Sequence, residues 1–419
     1  MKLNRVVVTG IGAITPLGNT VQSFSQNLFN GVSACSTITQ FDTTLFRTKI
    51  ACEVKDFNAL DFFDKKELKL LDKFGQFAFV AANEAIKDAA LTEYAALDNY
   101  KTGVLFTSGF GGLQTFQQEL LQYYQNGKNP RYFSPYFIPR TLLDLIGGNI
   151  AIKYKFKGIN YSTVAACASS AVSLVDALHY IRIGKADVMV VGGAEASITE
   201  VGIGAFGAMK ALSERNDDPK TASRPFDLYR DGFVMGEGAG CMIVESLEHA
   251  QKRGAKIYAE LAGGSINADA YHITAPQPDG ESIIRVMQDA LLDAKIEKNE
   301  IDYINVHGTS TPLGDIAEIK AIQTLFAAHA YQLNISATKS MTGHLMGAAG
   351  IAEAIAAVLA IVNNKIPPTI NHFTNDDAFD AKLNLTFHQA QNRKVDAVLS
   401  NNFGFGGHNA AVVFKRFTH

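Results

Sequence analysis

The chain of 419 residues has no tryptophan, only four cysteines and 11 prolines, and no excess of either charge: 38 Lys and Arg against 41 Asp and Glu leave a net charge of −3. Each scarcity excludes something. The near-neutral balance removes the electrostatic ground for expecting nucleic acid or an anionic membrane as a partner. Cys35, Cys52, Cys167 and Cys241 are scattered and form no CxxC pair, so neither a disulfide framework nor a metal site is encoded. A reducing cytoplasm is the expected home. No run of roughly 18 uninterrupted apolar residues offers a bilayer span, and the short run at 6–8, stopped by Thr9 and Gly10, is no signal peptide. There is no P-loop, and Gly10-Ile-Gly-Ala-Ile-Thr15 departs from GxGxxG at Thr15, so no cofactor is expected.

What is present is an ordinary globular composition, 47% apolar and 19% charged, in a length that accommodates two or three domains. Short β-rich runs at 6–8, 102–107, 188–192, 241–245, 258–264, 303–306, 395–400 and 410–415 alternate with helical patterns at 69–90, 170–183, 282–294, 315–326 and 348–362. That alternation predicts an α/β fold with buried, mostly parallel strands. A charged patch, Lys252-Arg253-Gly254, precedes a new strand and marks the seam between two parts. Placing Cys167 over His344 aligns 171–185 with 348–362, matching Ala171 to Ala348 and Ala177 to Ala354, with similar residues at four further positions. The echo suggests two related halves, each starting a buried helix next to a reactive residue, although two helices share a 3.6-residue period in any case.

Cys167 sits where an extended segment, Tyr161 to Ala166, meets a helix that opens at Ala168. A helix start carries unpaired N–H groups and partial positive charge, which lowers a thiol pKa and favours the attacking thiolate. A free cysteine is also a common small core residue, so the local context leaves both readings open. Among ten histidines, His307 lies just past a strand end and His344 in a turn before an Ala/Gly-rich helix, the side of an α/β sheet where ligands bind. His249, His329 and His419 read as solvated helix or tail residues, and His179 as packed or solvent-facing.

Four segments then converge. Thr163-Val-Ala-Ala-Cys-Ala-Ser169, His307-Gly-Thr-Ser-Thr-Pro312, Thr338-Lys-Ser-Met-Thr-Gly-His344 and Asn402-Phe-Gly-Phe-Gly-Gly407 together resemble the chain-elongating, Cys-His-His kind of β-ketoacyl-acyl-carrier-protein synthase. The similarity covers essentially the whole chain and is greatest to type II enzymes, through Ser223-Arg-Pro-Phe-Asp227 and the segment from Arg230 to Gly238. The resemblance implies a thiolase-like fold, two stacked βαβαβαβ halves in a five-layered α-β-α-β-α core, with halves at 1–252 and 253–419, and a homodimer. It implies acylation of Cys167, followed by decarboxylative condensation with a malonyl carrier, extending acyl chains by two carbons in fatty acid synthesis. His307 and His344 are the carried-over enolate donors, Lys339 belongs to the same site, and the backbone N–H groups of Cys167 and Phe405 form the oxyanion hole. Lys339 either orients His344 or holds a carboxylate such as Glu353. Phe110, Phe206 and Phe405 are the implied acyl-pocket residues, and Thr309 and Thr311 the pantetheine contacts. The resemblance places Lys66, Lys69, Arg131 and Lys210 at positions like those by which the family docks its acidic acyl carrier protein. Asp315 and Glu318 are expected to cap the helix that follows.

Departures from the pattern carry information too. Phe110 stands where isoleucine is usual, which predicts a shorter acyl pocket; Leu70 and Tyr132 replace residues that are often basic, and His408 replaces a threonine. A thiolase would need a second cysteine near the C-terminus, yet none follows Cys241. An initiating synthase would carry asparagine in place of His344, and a non-catalytic chain-length partner would lack Cys167. A polyketide-pathway ketosynthase is the alternative that the same residues serve equally well.

Overall fold

The computed structural model describes residues 3–418, so the prediction for His419 lies outside the described residues. Among the described residues one ten-stranded mixed sheet runs through the molecule. Five strands belong to the first part: β1 (Val6–Ile14), β2 (Thr102–Thr107), β3 (Asn160–Tyr161), β4 (Val188–Glu195) and β5 (Gly238–Ser246). Five belong to the second: β6 (Ala259–Ala268), β7 (Tyr303–Asn305), β8 (Asn334–Ser336), β9 (Ala397–Gly404) and β10 (His408–Lys415). From the centre outward the order is β1-β5-β4-β2-β3 on one side and β6-β10-β9-β7-β8 on the other. Each side thus repeats the order first, fifth, fourth, second, third, and the two sides join only where Val7 and Val8 of β1 pair with β6.

Helices complete the layers. α1 (Lys73–Asp88) covers the outer face of β1, β5 and β4; α2 (Ser169–Arg182) and α5 (Ala349–Asn363) lie between the two halves of the sheet; α3 (Glu281–Ala294) and α4 (Pro312–Phe326) form the opposite outer layer. Topologically α2 follows β3 as α5 follows β8, so the sequence echo corresponds to two equivalent helices. Their positions decide their composition. α5 is buried from Ala349 to Ile361, which is why it reads apolar all round, whereas α3 keeps an exposed face. The stretch Met346–Asn363 is long and apolar enough for a bilayer but is 89% buried within the chain. α1 is capped by Asp72, whose carboxylate accepts the Phe74 N–H at 3.2 Å. It lies so close to β1 that a Cβ on Gly12 would sit 2.1 Å from the Ala81 carbonyl oxygen. A side chain there would push α1 off the sheet, and each fully buried Phe or Ile it carries contributes about 1.5–3 kcal/mol.

Two sequence expectations need correction. The strands are not mostly parallel: four of the nine pairings in the large sheet are parallel and five antiparallel. The last strand of each half returns against its predecessor, and burial on both faces makes β5 and β10 as apolar as parallel strands. His249 is not solvated; its Nδ1 lies 2.6 Å from the buried Glu245 carboxylate, which Arg253 also holds. His329 is half-buried, and its Nε2–H donates to the Ile301 carbonyl, 2.9 Å away.

Candidate active site

The corner that presents Cys167 is built by its neighbours. Ala166 adopts φ +48°, a left-handed turn that a residue other than glycine rarely takes, and Ser169 locks it by accepting the Ala165 N–H at 2.9 Å and donating to the Ala166 carbonyl at 2.6 Å. α2 then starts at Ser169, two residues past the thiol. Gly404, at the end of β9, packs against this corner: a Cβ there would lie 2.6 Å from the Ala165 oxygen and 3.0 Å from the Cys167 nitrogen. The approach brings the N–H groups of Phe405 and Cys167 onto the sulfur, where both favour the charged form. Burial outweighs them. It pushes the Cys167 thiol up to about 12, with Lys339 opposing the rise and Glu195 adding to it. The helix start does not yield a resting thiolate, contrary to the sequence expectation, because the sulfur is removed from water.

Two imidazoles face the thiol across a cavity of about 430 Å³ that Cys167, His307 and His344 all line. Their rings meet edge on, with centroids 5.3 Å apart. The Met346 N–H donates to Nδ1 of His344 at 3.2 Å, and the Lys339 ammonium lies 3.4 Å from Nδ1 of His307. With both Nδ1 atoms accepting, the ring proton of each histidine sits on Nε2. Burial first, and then the Lys339 charge, hold both pKa values well below the ordinary histidine range, so both rings are neutral donors.

Lys339 reaches His307 rather than His344, donating to its carbonyl at 2.6 Å, and it pairs with Glu353, which also accepts from Asn402 at 2.6 Å. Of its two anticipated uses, the hold on Glu353 is met, while the orienting contact falls on His307 and not on His344. Glu318 does not cap α4. Its two oxygens accept the N–H groups of His307 and Gly308, each at 2.9 Å, and so hold the histidine loop. Burial raises its carboxyl to about 7 against those donors. Asp315 accepts from Ser310 and Phe226 and faces Arg230 at 3.6 Å, again bracing the loop before the helix. Spacing along the chain could not show this, since both acids reach backward to segments that tertiary packing supplies.

The other expected residues divide. Thr309 and Thr311 line the cavity with hydroxyls 3.0 Å apart, and Phe206, Phe405 and Lys210 line it too. Phe110 does not. Its ring meets Phe206 edge on at 5.8 Å and is 44% exposed in the single chain, so Phe206 stands between it and the cavity. Lys66, Lys69 and Arg131 are exposed on two short 3-10 turns, Glu67–Leu70 with its cap and Pro130–Tyr132, away from the cavity lining. His408 opens β10 and lies over Gly406, where a Cβ would come within 2.9 Å of its Nε2. Glu195, buried at the end of β4, was not singled out by any motif; the only signal is a lone acid closing an apolar strand.

Comparison with known proteins places this geometry. The family model described as "Beta-ketoacyl synthase, N-terminal domain" matches residues 3–250, and that of the C-terminal domain matches residues 258–373. The chain is 48% identical over 415 residues to a 3-oxoacyl-[acyl-carrier-protein] synthase 2 of Staphylococcus aureus (strain N315), covering 99% of this chain and 98% of the relative. It is 45% identical over 416 residues to the protein of that name from Coxiella burnetii, covering 99% of each. Among solved structures, a type II polyketide ketosynthase bound to its acyl-carrier protein, AntDE:AntF, superposes with a TM-score of 0.92 at 33% identity, covering 99% of this chain and 100% of the other. A beta-ketoacyl synthase from Burkholderia phymatum gives 0.91 at 32%, with the same coverage.

Proposed function

Because the chain belongs to the beta-ketoacyl synthase family, we propose that it works as an elongating 3-oxoacyl-[acyl-carrier-protein] synthase of type II fatty acid synthesis. The observation that carries the reading is the convergence of one thiol and two neutral imidazole donors on a single cavity. In the first half-reaction Cys167 attacks the acyl thioester, its S–H proton ends on the departing carrier thiol, and the N–H groups of Cys167 and Phe405 hold the tetrahedral oxyanion. A thiol kept neutral by burial suits this exchange, since proton and acyl group change places without a stored charge.

In the second half-reaction a malonyl carrier loses CO₂, and the electron pair of the broken C–C bond passes into the thioester enolate. Nε2–H of His307 and of His344 donate to that enolate oxygen, each worth about 3 kcal/mol. The enolate carbon then attacks the acyl-enzyme carbonyl. Cys167 leaves as thiolate and takes up one proton, giving a 3-oxoacyl carrier two carbons longer. Thr309 and Thr311 stand where a pantetheine arm would pass, and Lys210 at the mouth suits an acidic carrier. A chain too long for the cavity must part Phe206 from Phe110, which keeps Phe110 a length-limiting residue acting from behind the wall. We read the chain as halves 1–252 and 253–419, and the apolar groups exposed on the single chain at Phe116, Leu121, Tyr136, Ile138 and Leu142 as the face of a homodimer. Four free cysteines accord with a reducing cytoplasm.

Intact-mass analysis with acyl carriers tests the assignment. An acyl adduct should form on the wild type and vanish in Cys167→Ala, while His344→Ala should acylate yet condense at least a hundredfold more slowly. Labelling at another residue, or a His344→Ala variant that cannot acylate, overturns these roles. A polyketide pathway would be favoured instead by repeated extension of an unreduced 3-oxoacyl product.

A further inference from the structure

Glu195 is fully buried, yet its carboxylate meets no cation: among the described residues no lysine or arginine nitrogen comes within ion-pair distance of it. Five donors surround it instead. Gly109 N–H lies at 2.7 Å, Gly347 N–H at 3.1 Å, Phe110 N–H at 3.3 Å, and the hydroxyls of Ser108 and Ser197 at 3.0 and 2.9 Å. Ser108, Gly109 and Phe110 form the loop after β2, and the Phe110 ring packs edge on against Phe206 of the cavity wall. Gly347 belongs to the turn Met346–Ala348 that follows His344 and opens α5. The two segments meet backbone to backbone, since a Cβ on Gly347 would stand 2.3 Å from the Gly109 nitrogen. One residue before Gly347, Met346 supplies the N–H that fixes the tautomer of His344.

A buried carboxylate without a countercharge is expensive unless its lone pairs are filled, and here they are filled by both loops at once. We propose that Glu195 is a positioning residue that couples the loop at 108–110 to the His344 turn, keeping the acyl group on Cys167 and the donor on His344 in register for condensation. The carboxylate acts through Gly347 and Met346 and touches no reacting atom. This proposal rests on the roles given above to Cys167 and His344. A purely structural acid would weaken both half-reactions alike; a coupling residue separates them. Its negative charge also opposes ionisation of Cys167, a second consequence that packing alone does not produce.

The test uses the full chain and two variants, Glu195→Gln and Ser108→Ala, with acylation followed by intact mass and condensation measured from preformed acyl-enzyme. Glu195→Gln keeps the volume but turns an NH₂ toward N–H donors. Acylation should stay within about threefold of wild type, while condensation falls about thirtyfold, the scale of one lost charge-assisted hydrogen bond. Alkylation of Cys167 by iodoacetamide at pH 8 should rise roughly threefold as the opposing charge disappears. Ser108→Ala removes one donor from the loop at 108–110 and should lower condensation alone by about threefold, giving a readout if the glutamine variant folds poorly. Equal losses in both steps, or no loss of condensation in either variant, would overturn the coupling. A wild type that never acylates Cys167 would instead bring down the functional reading itself, so the two failures are distinguishable.

Discussion

A thiol at the start of a helix experiences two opposed effects, and Cys167 shows which one wins. Unpaired N–H groups and the Lys339 charge favour the thiolate, but desolvation is larger and lifts the group to about 12. The sign follows directly: the folded pKa lies above that of a free thiol, so the neutral form dominates at neutral pH and the thiolate fraction grows about tenfold per pH unit up to the shifted value. Alkylation of Cys167 by iodoacetamide should therefore keep rising between pH 8 and 10, whereas a cysteine peptide levels off above about pH 9. A plateau near pH 8 would show that the N–H groups and Lys339 prevail. For the histidines the shift runs the other way, so acidification from pH 8 to 6 should leave both rings neutral. These three residues were picked out in the sequence by the motifs that carry the family resemblance, since the local context of Cys167 alone left a nucleophile and a core residue both open. Their protonation was not legible there, because Lys339, Met346 and the burial that set it are brought together only by packing.

At the level of elements, the site depends on how closely β9 can approach the turn before α2. Gly404 permits the contact, and the left-handed Gly406 and Gly407, at φ +87° and +72°, carry the chain back into β10. Gly404→Ala should displace either the Ala165 carbonyl or the Cys167 N–H, both backbone groups with little freedom. The expected cost is about 1–3 kcal/mol of stability, seen as a lower melting temperature, together with at least a tenfold loss of acylation rate. Unchanged acylation would mean that the Cys167 N–H does not need its present place. The long elements α2, α3 and β2 were legible to within a residue or two, since periodicity and caps are local. β7 was legible too, expected at 303–306 and found at Tyr303–Asn305, whereas the three-residue strand β8 and the antiparallel return of β5 and β10 were not. A strand buried on both faces carries no trace of its neighbour's direction, and Asn334–Ser336 is too short to show a period.

On the scale of the whole molecule, the sheet repeats one strand order on either side of the β1/β6 junction, which places α2 and α5 back to back and their leading residues, Cys167 and His344, in one cavity. A weak echo in the sequence thus reflects the operation that builds the site from two halves. Of the expected docking cations Lys210 alone lines that cavity, and under the proposed function its mouth is where a carrier would dock; Lys66, Lys69 and Arg131 lie elsewhere on the surface. An exposed ion pair is worth about 0.2–1 kcal/mol, and reversing the charge roughly doubles the effect, so Lys210→Glu should raise KM for an acyl carrier about tenfold at low salt. The turnover number should hold, because no reacting atom is touched, and an acyl thioester of a small pantetheine mimic should react as it does with the wild type. Moderate salt should weaken carrier binding to the wild type more than to the variant, as screening removes an attraction that the variant no longer has. If Lys210→Glu affects the small thioester as much as the carrier, the lysine serves the cavity itself, and docking must rest on the more distant cations.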